Sequence, residues 1–202
     1  MRAIIVLDII LILAVAGFLI YTSIDYEADD TAVAMLREPS VETVSDDLII
    51  LHPEKPSTTA LIFYPGAKVE YTAYLPLLGQ IAASSDLTIF LAEMPFNMAI
   101  FSANRASDIM EDYPDFKDWY IAGHSMGGAM ANSFAAKHPD EVVGLILLGA
   151  YIYGDVDPAD ALTIYGTLNT SVAERVDPSG QVVAIEGGNH AQFGNYGEQR
   201  GD

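Results

Sequence analysis

The chain has 202 residues and no cysteine, room for one domain with a full core but not for disulfides, thiol catalysis or zinc–thiolate sites. Its formal charge of −19 at neutral pH repels nucleic acid and anionic lipid headgroups and argues against a nucleic-acid partner. Such a surface fits ordinary dispersal by like charge, and also fits life at high salt.

The first element is the apolar run "AIIVLDIILILAVAGFLIYTSI" over residues 3–24. It is about long enough to cross a bilayer as a helix, and its one ionisable residue, Asp8, lies near the start. A cleaved signal peptide is the rival reading; the run exceeds the usual apolar stretch of such peptides, and no A-x-A-like site follows. The expectation is a single-pass anchor over 1–24 in the cell membrane. Arg2 on one flank and "DYEADD" on the other place the globular part outside the cytoplasm. Residues 25–43 are acidic, poor in bulky apolar side chains and aperiodic, and are read as a linker.

From residue 44 to 202, strand-like and helix-like runs alternate. Strands are expected at 47–51, 60–64, 87–92, 118–123, 142–149, 161–166 and 181–186, and helices at about 70–84, 99–113 and 126–137. Most strands are continuous apolar runs, as in strands buried on both faces, so the fold class is α/β with a mostly parallel sheet flanked by helices. The connections 150–160 and 167–180 are near the minimum for a parallel crossover, so helices there are short or missing.

Within "WYIAGHSMGGAM" (119–130), "GHSMG" has the pattern G-x-S-x-G. A serine on a tight strand-to-helix turn presents its Oγ above the sheet edge, and Gly123 and Gly127 remove side chains that would crowd that turn. The pattern alone arises by chance in roughly one chain in fifteen of this size, so its placement after a buried strand and before a helix is what gives it weight. A phosphate-binding loop would need a G-K-[ST] ending, which is absent.

A serine hydroxyl needs a base. Of the four histidines, His52 and His138 precede prolines at element ends, and the ring of His124 is expected to point away from Ser125 Oγ. His190, in "EGGNHAQF" after the last strand, falls at the same sheet edge as Ser125 and is the candidate base. The oxyanion of an acyl-transfer intermediate needs two amide donors; the N–H of Met126 is one candidate and Ala67, in "FYPGAKVE", the other.

The stretches "FYPGAKVEYTAYLPLL", "EMPFNMAIFSANRA", "YIAGHSMGGAMANSFAAKHP" and "EGGNHAQFGNYGEQRGD" resemble the α/β-hydrolase superfamily. Within it, the chain is most similar to the small cap-less "alpha/beta hydrolase fold-5" family related to dienelactone hydrolases. That resemblance implies Ser125 as nucleophile, His190 as base and hydrolysis without metal or organic cofactor. It also exposes a departure. Family members read Y-G-x-x-D after the penultimate strand, with the aspartate as third triad member; this chain reads "YGTLN", with Asn169 at the matching position. In trypsin-type triads the same exchange lowers kcat by about 10⁴, roughly 5 kcal/mol of barrier. Asp155, Asp157 and Asp160 follow the preceding strand, and Asp155 is the alternative acid; Glu93 is more remote.

Together these readings describe a membrane-anchored, carboxylesterase-like serine hydrolase acting on a small ester or related acyl compound. The competing reading is a catalytically degraded hydrolase-fold binding module at the cell envelope, marked by Asn169. A lipase with a lid has little room in the short connections.

Overall fold

The computed structural model describes residues 2–199, with side chains of the first helix described from Val6 onward. The chain runs α1 (Arg2–Thr22), α2 (Asp30–Ala34), β1 (Val41–Ser45), β2 (Leu48–Leu51), β3 (Thr59–Tyr64), α3 (Leu75–Ser84), β4 (Thr88–Ala92), α4 (Arg105–Asp112), β5 (Asp118–His124), α5 (Met126–Lys137), β6 (Gly144–Leu148), β7 (Ala161–Gly166), α6 (Thr170–Ala173) and β8 (Gln181–Ile185). All eight strands join one sheet in the order β1-β2-β4-β3-β5-β6-β7-β8. The β1–β2 and β2–β4 pairs are antiparallel, and every pair from β4–β3 onward is parallel.

The central strands carry apolar residues on both faces because both faces are covered. Ile49, Leu61, Phe63, Ile89 and Leu91 face α3, whereas Ile50, Ile62, Phe90, Trp119 and Ile121 face α4 and α5. Helix α5 buries Gly127, Gly128 and Ala131, so it can lie close to β5. The crossover before β7 contains only a 3-10 turn at Pro158–Asp160, and that before β8 only the four residues of α6. Predicted helix 70–84 opens as a 3-10 turn, Tyr71–Tyr74, before α3; predicted helix 99–113 divides into a turn, Ala99–Phe101, and α4.

Two expectations change. Residues 25–43 pack onto the domain. Tyr26 forms a parallel bridge to Val69, its N–H donating to the Lys68 carbonyl (2.7 Å) while its own carbonyl accepts from Glu70 N (2.9 Å). Asp29 caps α2, Ala32 is buried, and β1 forms the sheet edge. These pieces escape a search for apolar runs because they are held by backbone hydrogen bonds and, in β1, by an exposed edge. The second change concerns α1. Among the described residues no helix is long and apolar enough to cross a membrane. The membrane span expected over 3–24 is not established by α1.

Candidate active site

Ser125 occupies the single-residue junction between β5 and α5 with φ 54° and ψ −119°. That conformation costs a non-glycine residue roughly 1–3 kcal/mol and persists only where its surroundings enforce it. Here the Ser125 N–H donates to the Leu148 carbonyl (3.0 Å) and its carbonyl accepts from Ala129 N (3.0 Å). A methyl group on Gly127 would overlap the carbonyl oxygens of Tyr64 and Pro65, and one on Gly123 would meet the Gly127 backbone. Both glycines are required by close approach, as the motif implies.

The loop after β3 brings Ala67 to this edge. Lys68, at φ 62°, donates its N–H to Asn97 O (2.6 Å) and accepts from Tyr26 N, so the loop is tied on both sides. Among the described residues the amides of Ala67 and Met126 have no hydrogen-bond acceptor, and both residues are half-buried. They are available to an oxyanion. Ser125 Oγ likewise has no partner among the described residues.

His190 opens the 3-10 turn Ala191–Phe193 after β8 and is half-buried. Its Nδ1 lies 2.6 Å from the side-chain amide nitrogen of Asn169, the N-terminal cap position of α6, and Ser171 Oγ lies 2.9 Å from Asn169 Oδ1. The orientation of that amide decides the chemistry. An NH₂ donating to Nδ1 leaves the imidazole proton on Nε2 and removes its basic lone pair. With the amide turned by 180°, Oδ1 accepts from Nδ1–H and the basic lone pair falls on Nε2. The Ser171 hydroxyl can serve either orientation, as donor or acceptor. An aspartate would enforce the productive tautomer without choice.

Asp155 is not brought to the site. It is exposed and lines a small hollow with Pro139, Val142 and Asp160, at the edge of the sheet where β6 and β7 begin, opposite Ser125. The connection after β6 crosses the length of the sheet before it reaches this aspartate, a path its sequence does not reveal. Asp157 caps the turn before β7, accepting from Ala159 N. Glu93 lies beside Asp47 and Arg105; burial, and then Asp47, Asp46 and Glu70, raise its carboxyl above the usual range. None of these carboxylates is hydrogen-bonded to His190.

Three residues at the site were not picked out from the sequence. His124 is 1% exposed, its Nδ1 lies 2.8 Å from Tyr74 Oη, its Nε2 lies 3.0 Å from the His190 carbonyl, and its ring centroid is 4.7 Å from that of His190. Burial, reinforced by His190 and opposed by the bond to the His190 carbonyl, holds His124 down to about 3. Tyr74 is fully buried inside a stretch that reads only as helix. Gly149, at φ 55°, leaves room for both imidazoles. An apolar cavity of about 430 Å³ lies on the α3 face of the sheet among Leu61, Leu78, Ile146, Leu162 and Ile164 and reaches Asn189 and Gln192 beside His190.

A mostly parallel sheet whose central strands are covered on both faces, with a strained serine at a strand-to-helix turn and a histidine after the last strand, defines the α/β-hydrolase class of fold, here without a cap domain among the described residues. The model of the alpha/beta hydrolase family matches residues 60–202, and the chain belongs to that family. Dienelactone hydrolase from Anabaena variabilis superposes with a TM-score of 0.53 at 18% identity, covering 74% of this chain and 85% of that one. A hormone-sensitive lipase from a metagenome library gives 0.56 at 16% identity (79% and 80% covered), and a carboxylesterase from Bacillus subtilis 0.54 at 12% (80% and 88%). At these identities the likeness is one of fold. No curated protein sequence matches the chain.

Proposed function

We propose that the chain is a carboxylesterase-like serine hydrolase that cleaves a small ester or related acyl compound. Ser125 Oγ attacks the carbonyl carbon while His190 Nε2 takes its proton. The amides of Met126 and Ala67 hold the oxyanion, and collapse of the intermediate expels the alcohol, which receives the proton from His190. Water, deprotonated by the same nitrogen, then releases the acid and restores Ser125. The observation that carries this reading is the enforced φ of 54° at Ser125 on the sheet edge that also holds the His190–Asn169 pair. Each of these steps uses the chain's own residues; no metal or organic cofactor takes part.

We also infer that α1 attaches the protein to the cell membrane, with the domain outside the cytoplasm. In support, Leu7, Ile10, Leu11, Ile12, Leu13 and Ile20 are all well exposed and point in different directions around the helix, leaving no polar face. Fractionation of the full chain with membranes, resistant to high-salt washing, tests this part.

The chemical reading is tested with a fluorophosphonate probe and short p-nitrophenyl esters. Labelling and turnover that vanish in Ser125→Ala and His190→Ala support it; equal labelling in Ser125→Ala sinks it. Asn169 itself favours a second reading, the degraded binding module, because a neutral amide adds no charge to support the imidazolium. A folded protein that neither labels nor turns over, in wild type or Asn169→Asp, establishes that alternative.

A further inference from the structure

A buried hydrogen-bonded chain joins the two loops that flank Ser125. The Gly66 N–H donates to Tyr74 Oη (3.0 Å), Tyr74 Oη is 2.8 Å from His124 Nδ1, and His124 Nε2 is 3.0 Å from the His190 carbonyl. The two ends are backbone groups with fixed roles, and they determine every proton between them. A carbonyl only accepts, so His124 carries its proton on Nε2. Nδ1 is then an acceptor, so the Tyr74 hydroxyl donates to it and itself accepts from Gly66.

The chain is dry and neutral throughout. Tyr74 is 0% and His124 1% exposed, so an unmade bond at either would cost its full desolvation penalty. Burial holds His124 far below its ordinary range and Tyr74 well above its own, which keeps both in the uncharged forms the chain requires. Its two ends matter most. Gly66 adjoins Ala67 in the oxyanion loop, and the His190 carbonyl belongs to the residue whose ring is the base. In the middle, His124 is the residue before Ser125.

We propose that Tyr74 and His124 are positioning residues that hold the oxyanion loop and the base loop in register on either side of Ser125. The inference rests on the roles given above to Ser125, His190 and Ala67. It assigns to the variable position before the serine a task distinct from catalysis: the imidazole of His124 orients another residue's backbone. Misplacement of a base or oxyanion donor by about 1 Å is enough to lose about 10²-fold in rate, so breaking the chain should affect turnover far more than substrate binding.

The test uses the full chain in detergent, with Tyr74→Phe, which removes one hydroxyl from a ring that otherwise stays buried, and His124→Gln, which keeps a donor near the His190 carbonyl but removes the imidazole acceptor. Two measurements are made after thermal melts confirm that the variants fold. The first is hydrogen–deuterium exchange of segments 65–69 and 188–195. Tyr74→Phe is expected to speed exchange at least about threefold in 188–195, the loop whose His190 carbonyl the Tyr74 hydroxyl reaches through His124, with β3 and β5 unchanged; the phenylalanine ring keeps the direct packing on Gly194 and Tyr196. The second is steady-state hydrolysis of p-nitrophenyl acetate, where kcat is expected to fall about tenfold or more with KM within about twofold. Unchanged exchange in 188–195 overturns the proposal whether or not the wild type turns over. Unchanged kcat with a lowered melting temperature also overturns it and leaves the hydrolase reading intact. A wild type without turnover or probe labelling overturns the hydrolase reading, and with it the proposed positioning role.

Discussion

Asn169→Asp is the most informative single substitution. It changes one atom, at a side chain 2.6 Å from His190 Nδ1, and leaves room and backbone untouched. The gain has two sources. A carboxylate can only accept, so it holds the proton on Nδ1 and leaves the basic lone pair on Nε2. It also stabilises the imidazolium that forms as Ser125 attacks. With charge centres about 4 Å apart, Coulomb's law gives about 4 kcal/mol at an effective dielectric of 20 and about 1 kcal/mol in water. Asn169 is half-buried between exposed neighbours Leu168 and Thr170, so a value near 2 kcal/mol is appropriate. That corresponds to about a 30-fold gain in kcat/KM for p-nitrophenyl acetate, before any gain from fixing the tautomer. The same factor should appear in the second-order rate of fluorophosphonate labelling. A folded Asn169→Asp protein no faster than wild type, beside an Asn169→Ala protein equal to both, would refute the reasoning, because the position would then have no hold on the imidazole.

The contacts around the site set three further expectations. A methyl group on Gly149 would lie 3.0 Å from His190 Nδ1 and 3.3 Å from the His124 ring, whereas one on Gly154, also at positive φ, would meet nothing within 4 Å. Both alanine variants should lose about 1–2 kcal/mol of stability in urea melts, but only Gly149→Ala should lose activity; equal activities would dismiss the contact. For His124, the folded value of about 3 lies below the ordinary 6.5, so the unfolded chain takes a proton that the folded chain refuses between those values. Stability present above pH 6.5 should therefore decline as pH falls, by about 2 kcal/mol at about pH 5 from this residue alone. Tyr74 and His190 are the titratable groups that face it. His124→Gln should flatten that part of the stability–pH curve, and an unchanged slope would count against the burial argument. Finally, deleting residues 1–24 should preserve turnover, while deleting 1–29 removes the Tyr26 bridge and the Asp29 contacts to Asn195. The second deletion should cost about 2–4 kcal/mol and most of the activity, and equal activity of the two would show that the strap is dispensable.

The sequence reveals the sheet well because its signal is local. Leu48–Leu51, Thr59–Tyr64 and Thr88–Ala92 are unbroken apolar runs, and two-sided burial is what such runs require. The edge strand Val41–Ser45 carries no such run, since most of it faces solvent and its partner supplies the hydrogen bonds. The same distinction explains the segment 25–29. Its attachment to Lys68, Glu70 and Asn195 is made largely by backbone atoms, which every residue possesses and no composition betrays.

The site divides along a similar line. The turn at Ser125 was legible because it demands glycines at fixed offsets, and the offsets survive in sequence; the placement of His190 at the same edge was legible because it follows the last strand. Asp155 also follows a strand in sequence, yet it sits at the far edge, because the chain needs only a few residues to cross a sheet whose strands are four to seven residues long. Nearness to a strand end therefore locates a residue only when the next element is known to start later. His124 failed for a different reason. In a β-strand successive side chains alternate between faces, so a ring beside the serine is assumed to point away from it and to be idle. It does enter the α3 face, but that face also holds Tyr74, and beyond it the His190 loop folds back to offer a carbonyl. Pointing away from Ser125 is what brings the His124 ring to the His190 carbonyl.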